Sequence, residues 1–129
     1  MPRDFAWRHA VSAAVFFGAI SSACAAAPES DAGKAQFVKS CGVCHATDPG
    51  APPRKGPNLS GVFGRKAGSQ PAFAYSAALG ASGVVWDEAT LERWLTDARS
   101  VVPGSTMPYR QADPDKRKLI IDYLKTLKQ

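Results

Sequence analysis

Residues 40–46 read "SCGVCHA": Cys41 and Cys44 stand three positions apart, and His45 follows the second directly. Three chemistries use such a stretch. A redox dithiol of the CxxC kind belongs in a βαβ scaffold, a structural zinc site needs four ligands, and covalent attachment of a haem takes C-x-x-C-H as its own signature. Each demands different surroundings, so the rest of the chain decides the fold.

On a helical turn, Cys41 and Cys44 point about 60° apart and His45 lies about 40° from Cys41, at 100° per residue. One turn therefore presents two sulfurs to the vinyl groups of a haem and an imidazole to its iron. The zinc reading is short of ligands, because the only other histidine, His9, falls in an N-terminal segment with the pattern of a leader. The dithiol reading lacks its scaffold, since no clear strand pattern runs through the chain. Attachment of a single haem c is the expectation.

That leader occupies residues 1–25. "MPRDFAWRH" carries Arg3 and Arg8, "AVSAAVFFGAI" is an uncharged apolar run, and Ala23-Cys24-Ala25 forms a small-x-small site. The order is that of a secretory signal peptide. The apolar run, Ala10 to Ile20, is shorter than the roughly 20 residues that span a bilayer. An uncleaved anchor and a lipid-modified Cys24 are the competing readings; Ser21 fits a lipoprotein signal poorly. Cleavage leaves residues 26–129 as one domain and Cys41 and Cys44 as the remaining cysteines, in an oxidising compartment that leaves them oxidised or chemically occupied. The formal charge of +5 falls to about +4 without a dense basic block, which argues against nucleic acid as a partner.

Beyond the motif the chain reads as all-α, helices joined by long loops. "SDAGKAQFVKSC" opens on capping residues Ser30 and Asp31 and puts Phe37, Val38 and Cys41 on one side. "ATDPGAPPRKGPNLSG", with four prolines and three glycines, is loop. "YSAALGASG" makes a short helix ended by Gly80 or Gly83. "WDEATLERWL" takes Asp87 as its cap and buries Leu91, Trp94 and Leu95. "DPDKRKLIIDYLKTLKQ" is capped by Asp113, starts on Pro114, and lines Leu119, Ile120, Tyr123, Leu124 and Leu127 along one stripe.

A haem iron held by His45 has a second axial position. With Met1 removed, Met107 is the remaining methionine, and it lies in the loop "VVPGSTMPY". A thioether there favours ferrous iron and suits electron transfer. An open or lysine-held position is the alternative, with Lys55 and Lys66 on the loop side.

From Gly33 to Leu127 the chain resembles the class I c-type cytochromes, that is, mitochondrial cytochrome c and the similar soluble bacterial periplasmic carriers. The resemblance rests on "GKAQFVKSCGVCH", "KGPNLSGVFGRKAG", "YSAAL", Trp86, "VPGSTM" and "LIIDYLKTL". It implies that the Pro57 carbonyl fixes the tautomer of His45, that Arg65, Tyr75 and Trp86 hold the haem propionates, and that Gly33, Phe37 and Tyr123 form a crossing of the terminal helices. It implies a soluble one-electron shuttle, not an enzyme: a periplasmic monomer of an electron-transport or respiratory chain. Its partners would be redox proteins such as a quinol-cytochrome c reductase, a terminal oxidase or reductase, or a periplasmic dehydrogenase. A haem enzyme or small-molecule sensor with a labile sixth ligand, and a dedicated dehydrogenase subunit, are the rival functions. The chain departs from the mitochondrial pattern at Trp94, Leu79 and Ser105, where that pattern has tyrosine, asparagine and threonine. It also departs at Ser40, Ser100, Thr106, Asp113 and Pro114, where several lysines of the docking surface would stand. Lys34, Lys39, Arg54, Arg99 and Arg110 keep part of the positive character.

Overall fold

The computed structural model describes residues 27–127; the leader, with Arg3, Arg8, His9 and Cys24, lies outside the described residues. Among the described residues five helices follow in order: α1 (Ala27–Ser40), α2 (Ala77–Ala81), α3 (Glu88–Thr96), α4 (Ala98–Val101) and α5 (Pro114–Thr126). The described residues form no strand, only one isolated antiparallel bridge between Lys66 and Val85. The fold is all-α.

α1 packs against α5, and α3 packs against both α4 and α5. The α1–α5 crossing is close because Gly33 has no side chain. A Cβ there would stand 2.7 Å from the Leu119 carbonyl oxygen and 3.1 Å from Cβ of Tyr123. One turn further on, the Phe37 and Tyr123 rings pack with centroids 5.2 Å apart. Phe37, Ile120 and Leu124 then join Leu91, Trp94 and Leu95 of α3 in one buried core.

The helix starts follow the capping chemistry of the sequence. Asp87 accepts the Thr90 N–H, and the Thr90 hydroxyl answers the Asp87 N–H, a reciprocal box. Asp113 caps α5 ahead of Pro114, and Ser76 caps α2. α2 runs through Gly80 to Ala81 and is capped by Ser82, with Gly83 just beyond at φ +68°.

Three local expectations need correction, and one short helix had no reading in the sequence. α1 begins at Ala27, ahead of Ser30 and Asp31. Val38 is 58% exposed, because the crossing with α5 admits a narrow stripe centred on Gly33 and Phe37. On α5, Ile121 is buried while Leu119 is only half-buried; the helix faces two neighbours, α1 and α3, so its apolar surface is wider and turned. α4 is a single turn begun by Asp97, which ends α3 and caps the next helix at once.

Candidate functional site

The motif occupies a helical turn continuing α1. The Cys41 N–H donates to the Phe37 carbonyl, and the Cys44 and His45 N–H groups both donate to the Cys41 carbonyl at 3.0 and 2.9 Å. Cys41, Cys44 and His45 all face one cavity of ≈ 300 Å³.

Burial, with help from the nearby Cys44 charge, pushes the Cys41 thiol up to about 12. A redox dithiol needs a stabilised thiolate, so this environment opposes that chemistry. Among the described residues no metal-binding group of three or more His, Cys, Asp and Glu side chains is assembled, which leaves a tetrahedral zinc site without its ligand set.

His45 is oriented by the loop that follows. Its Nδ1 lies 2.8 Å from the Pro57 carbonyl oxygen. A carbonyl only accepts, so Nδ1 carries the proton and Nε2 keeps its lone pair. Burial lowers the His45 pKa, partly offset by this bond, which favours the neutral imidazole. Gly56 lies flat against the ring: a Cβ there would come within 2.4 Å of Cε1. Buried Asn58 holds the loop in shape, donating through Nδ2 to the Asp48 and Ala51 carbonyls and accepting the Ser60 N–H. Sequence reasoning singled out neither Gly56 nor Asn58; the signal available was their place beside Pro57 in "GPNL".

Arg65, Tyr75 and Trp86 line the same cavity. Arg65 and Trp86 are held side by side where two loops pair, the Trp86 N–H donating to the Arg65 carbonyl at 3.0 Å. The Arg65 guanidinium donates to the Ser60 and Asn58 carbonyls at 2.8 and 3.0 Å. Burial pulls its pKa below the ordinary guanidinium value and raises that of Tyr75 above the ordinary phenol value, so at neutral pH the site offers a cationic fork and a phenolic O–H. The Trp86 ring packs edge-on against Trp94, centroids 5.0 Å apart.

Met107 is half-buried, packs against the core and lines the cavity. Lys55, Lys66, Leu79, Trp94 and Ser105 line it too. All eight candidate site residues, Cys41, Cys44, His45, Pro57, Arg65, Tyr75, Trp86 and Met107, thus meet at one place.

The remaining lining includes Phe37, Leu59, Val62, Leu91, Leu95, Ile120 and Leu124. A mostly apolar slot with a neutral imidazole, two thiols and a thioether in its walls, and with cationic and O–H donors, fits a flat apolar macrocycle that carries an iron centre and acidic substituents.

The profile of the Cytochrome c family matches residues 30–128. Cytochrome c2 of Rhodomicrobium vannielii is 44% identical over 92 residues, 70% of this chain and 74% of the relative. Cytochrome c of Sesamum indicum is 39% identical over 94 residues, 72% of this chain and 85% of that one. Among solved structures, cytochrome cH from Methylobacterium extorquens matches with a TM-score of 0.69 at 41% identity, covering 75% of this chain and 97% of that one. The fold is that of a class I cytochrome, and the chain belongs to the cytochrome c family. It carries a covalently bound haem c and transfers electrons with redox-protein partners.

Proposed function

We propose that this cytochrome holds one haem through thioether bonds at Cys41 and Cys44, with His45 and Met107 as axial ligands, and shuttles single electrons without turning over a substrate. The observation that carries the reading is the meeting of His45, locked as the Nδ1–H tautomer by Pro57, with Met107 on one largely apolar cavity. The haem supplies an iron that cycles between ferrous and ferric states. The chain does the rest. The Pro57 carbonyl keeps the His45 lone pair on Nε2 and aims the ring. Arg65, Tyr75 and Trp86 offer donors for the propionates, whose burial is costly unless hydrogen-bonded. The apolar walls exclude water, which disfavours the extra charge of the ferric state.

Two departures act on the potential in opposite senses. Leu79 dries the cavity and favours the ferrous state. Trp94, in place of a phenol, changes what can donate to the Met107 sulfur; without such a bond the thioether is the better donor to ferric iron.

The chain works as a monomer in the periplasm, delivered by the signal at residues 1–25. It links a donor such as a quinol-cytochrome c reductase or a periplasmic dehydrogenase to a terminal oxidase or reductase. Among the described residues no helix is long and apolar enough to cross a membrane, which is compatible with a diffusing carrier. The test combines cell fractionation, a redox titration, and spectra of the parent and Met107→Ala proteins. A carrier gives a periplasmic, reversible one-electron couple and a methionine-to-iron charge-transfer band that vanishes in the variant. A parent with an open, high-spin iron overturns the reading.

A further inference from the structure

The segment that carries Met107 runs from Val102 to Asp113 between α4 and α5 without a helix. Its N-terminal side is tied by the Ser105 N–H, which donates to the Val102 carbonyl at 3.0 Å. The Met107 N–H reaches Oγ of Ser105 only at 3.3 Å. Pro108 has no N–H to give. Among the described residues the next backbone bond is at Gln111, whose N–H donates to the Leu95 carbonyl at 2.8 Å. Met107 therefore hangs in a stretch with few backbone bonds of its own, tied nearby by the ion pair of exposed Arg110 with Asp97 at 3.0 Å, the kind of segment that opens locally at low cost.

Arg117 closes that stretch. From α5 it reaches back to three partners. Nη1 donates to the Gln111 carbonyl at 2.7 Å and to the Ala112 carbonyl at 2.9 Å, and Nε donates to Oε1 of Glu92 on α3 at 2.7 Å. Its side chain is 11% exposed, whereas the cations of the other described ion pairs are at least 32% exposed. Desolvating a guanidinium is unfavourable unless its donors are filled, and here Nε is filled by Glu92 and Nη1 by the backbone just past Met107. The planar fork matches these acceptors, binding a carboxylate and two carbonyls at once, which an ammonium cannot do with the same geometry. Arg117 does not line the cavity, so it acts on the iron only through the groups it holds.

We propose that Arg117 is a positioning residue for the axial methionine: by pinning the Gln111 and Ala112 carbonyls to α3 and α5, it sets how readily the Met107 side chain leaves the cavity. The inference rests on Met107 as the ligand. A segment held at both ends keeps the same ligand geometry in both oxidation states, which is what rapid electron exchange requires.

The test uses the purified holoprotein and imidazole as an external probe that enters when Met107 swings away. Arg117→Lys keeps the charge facing Glu92 but cannot span all three acceptors. Glu92→Gln leaves Arg117 its two carbonyls. Leu127→Ala destabilises the end of the same helix without touching the segment. Ferric Arg117→Lys should bind imidazole roughly tenfold more tightly than the parent, the equivalent of one charge-assisted hydrogen bond lost from the closed form. Glu92→Gln should shift the affinity by less, and Leu127→Ala hardly at all even where its melting temperature falls as far. Equal imidazole affinity in Arg117→Lys and the parent overturns the proposal, and so does an affinity that tracks global stability across all three variants. If the parent lacks the methionine-to-iron charge-transfer band, the ligand reading falls and takes the inference with it; a parent band with unmoved affinities defeats the inference alone.

Discussion

The Nδ1 atom of His45 and the carbonyl oxygen of Pro57 lie 2.8 Å apart, and Gly56 makes that approach possible by presenting bare backbone to the imidazole ring. Adding a methyl at position 56 places a Cβ 2.4 Å from Cε1 and 2.8 Å from Nδ1. Gly56→Ala should therefore tilt or displace the ring and destabilise the protein by about 1–3 kcal/mol, the usual scale of overpacking. Thermal melts and holoprotein yield measure it. A variant with parental yield and melting temperature would show that the loop yields freely.

Attachment is tested by the cysteines. In Cys41→Ser with Cys44→Ser, no covalent link to haem remains, and the axial ligands release it when the chain unfolds. Haem-stained denaturing gels should show colour in the parent and none in the double variant. Retained colour would contradict attachment at this motif.

Met107→Ala should keep its haem, since Cys41, Cys44 and His45 are untouched. Water or a lysine takes the position, and Lys55 and Lys66 both face the cavity. Either ligand is harder than a thioether and favours ferric iron, so the potential should fall by a sizeable part of the ~0.8 V that axial ligands span. The reduced variant should also bind carbon monoxide, which the six-coordinate parent resists. Redox titration and carbon monoxide difference spectra check both outcomes.

The N-caps predict an acid limb. The Asp113 carboxylate is held below its ordinary 3.8 by bonds from Lys116 and the first turn of α5, and Asp87 likewise by Thr90. A carboxylate with a depressed folded value adds stability that is complete above 3.8 and is lost as pH falls through the folded value. Asp113→Asn keeps a capping oxygen but does not titrate. Its melting temperature should fall less steeply than the parent's from about pH 4 downward. Parallel acid limbs would rule out a contribution from this cap.

Docking should depend on salt. Lys34, Lys39 and Arg54 offer positive charge to an acidic partner, while Arg110 is partly neutralised by Asp97 at 3.0 Å. Electron-transfer rate with the natural partner should fall as the screening length shortens to about 8 Å near 0.15 M salt. The fall should be shallower than for a lysine-ringed cytochrome. A rate indifferent to salt would point to apolar contact, for which Val43, 75% exposed beside the attachment turn, is the obvious centre.

What the sequence determined by itself is the chemistry that local spacing encodes. C-x-x-C-H places two sulfurs and an imidazole on one turn wherever the turn sits, and Asp87, Asp113 and Pro114 start their helices through bonds within a few residues. The crossing at Gly33 was implied only by the resemblance to the class I cytochromes; the Leu119 carbonyl, which only a residue without Cβ admits that close, came from the tertiary structure. The tertiary structure decided which faces those helices bury and what their charges do. Val38 reads as core by helical spacing but stands in solvent, and Ile121 is buried because α5 packs on two helices instead of one. It also decided that Arg117, to its own sequence one more cation on a charged helix face, lies mostly out of water with its donors on Glu92, Gln111 and Ala112. Gln111 and Ala112 lie just ahead of α5, but Glu92 comes from α3, 25 residues away, so no local pattern specifies it; it is brought within reach only when the chain closes around its cavity.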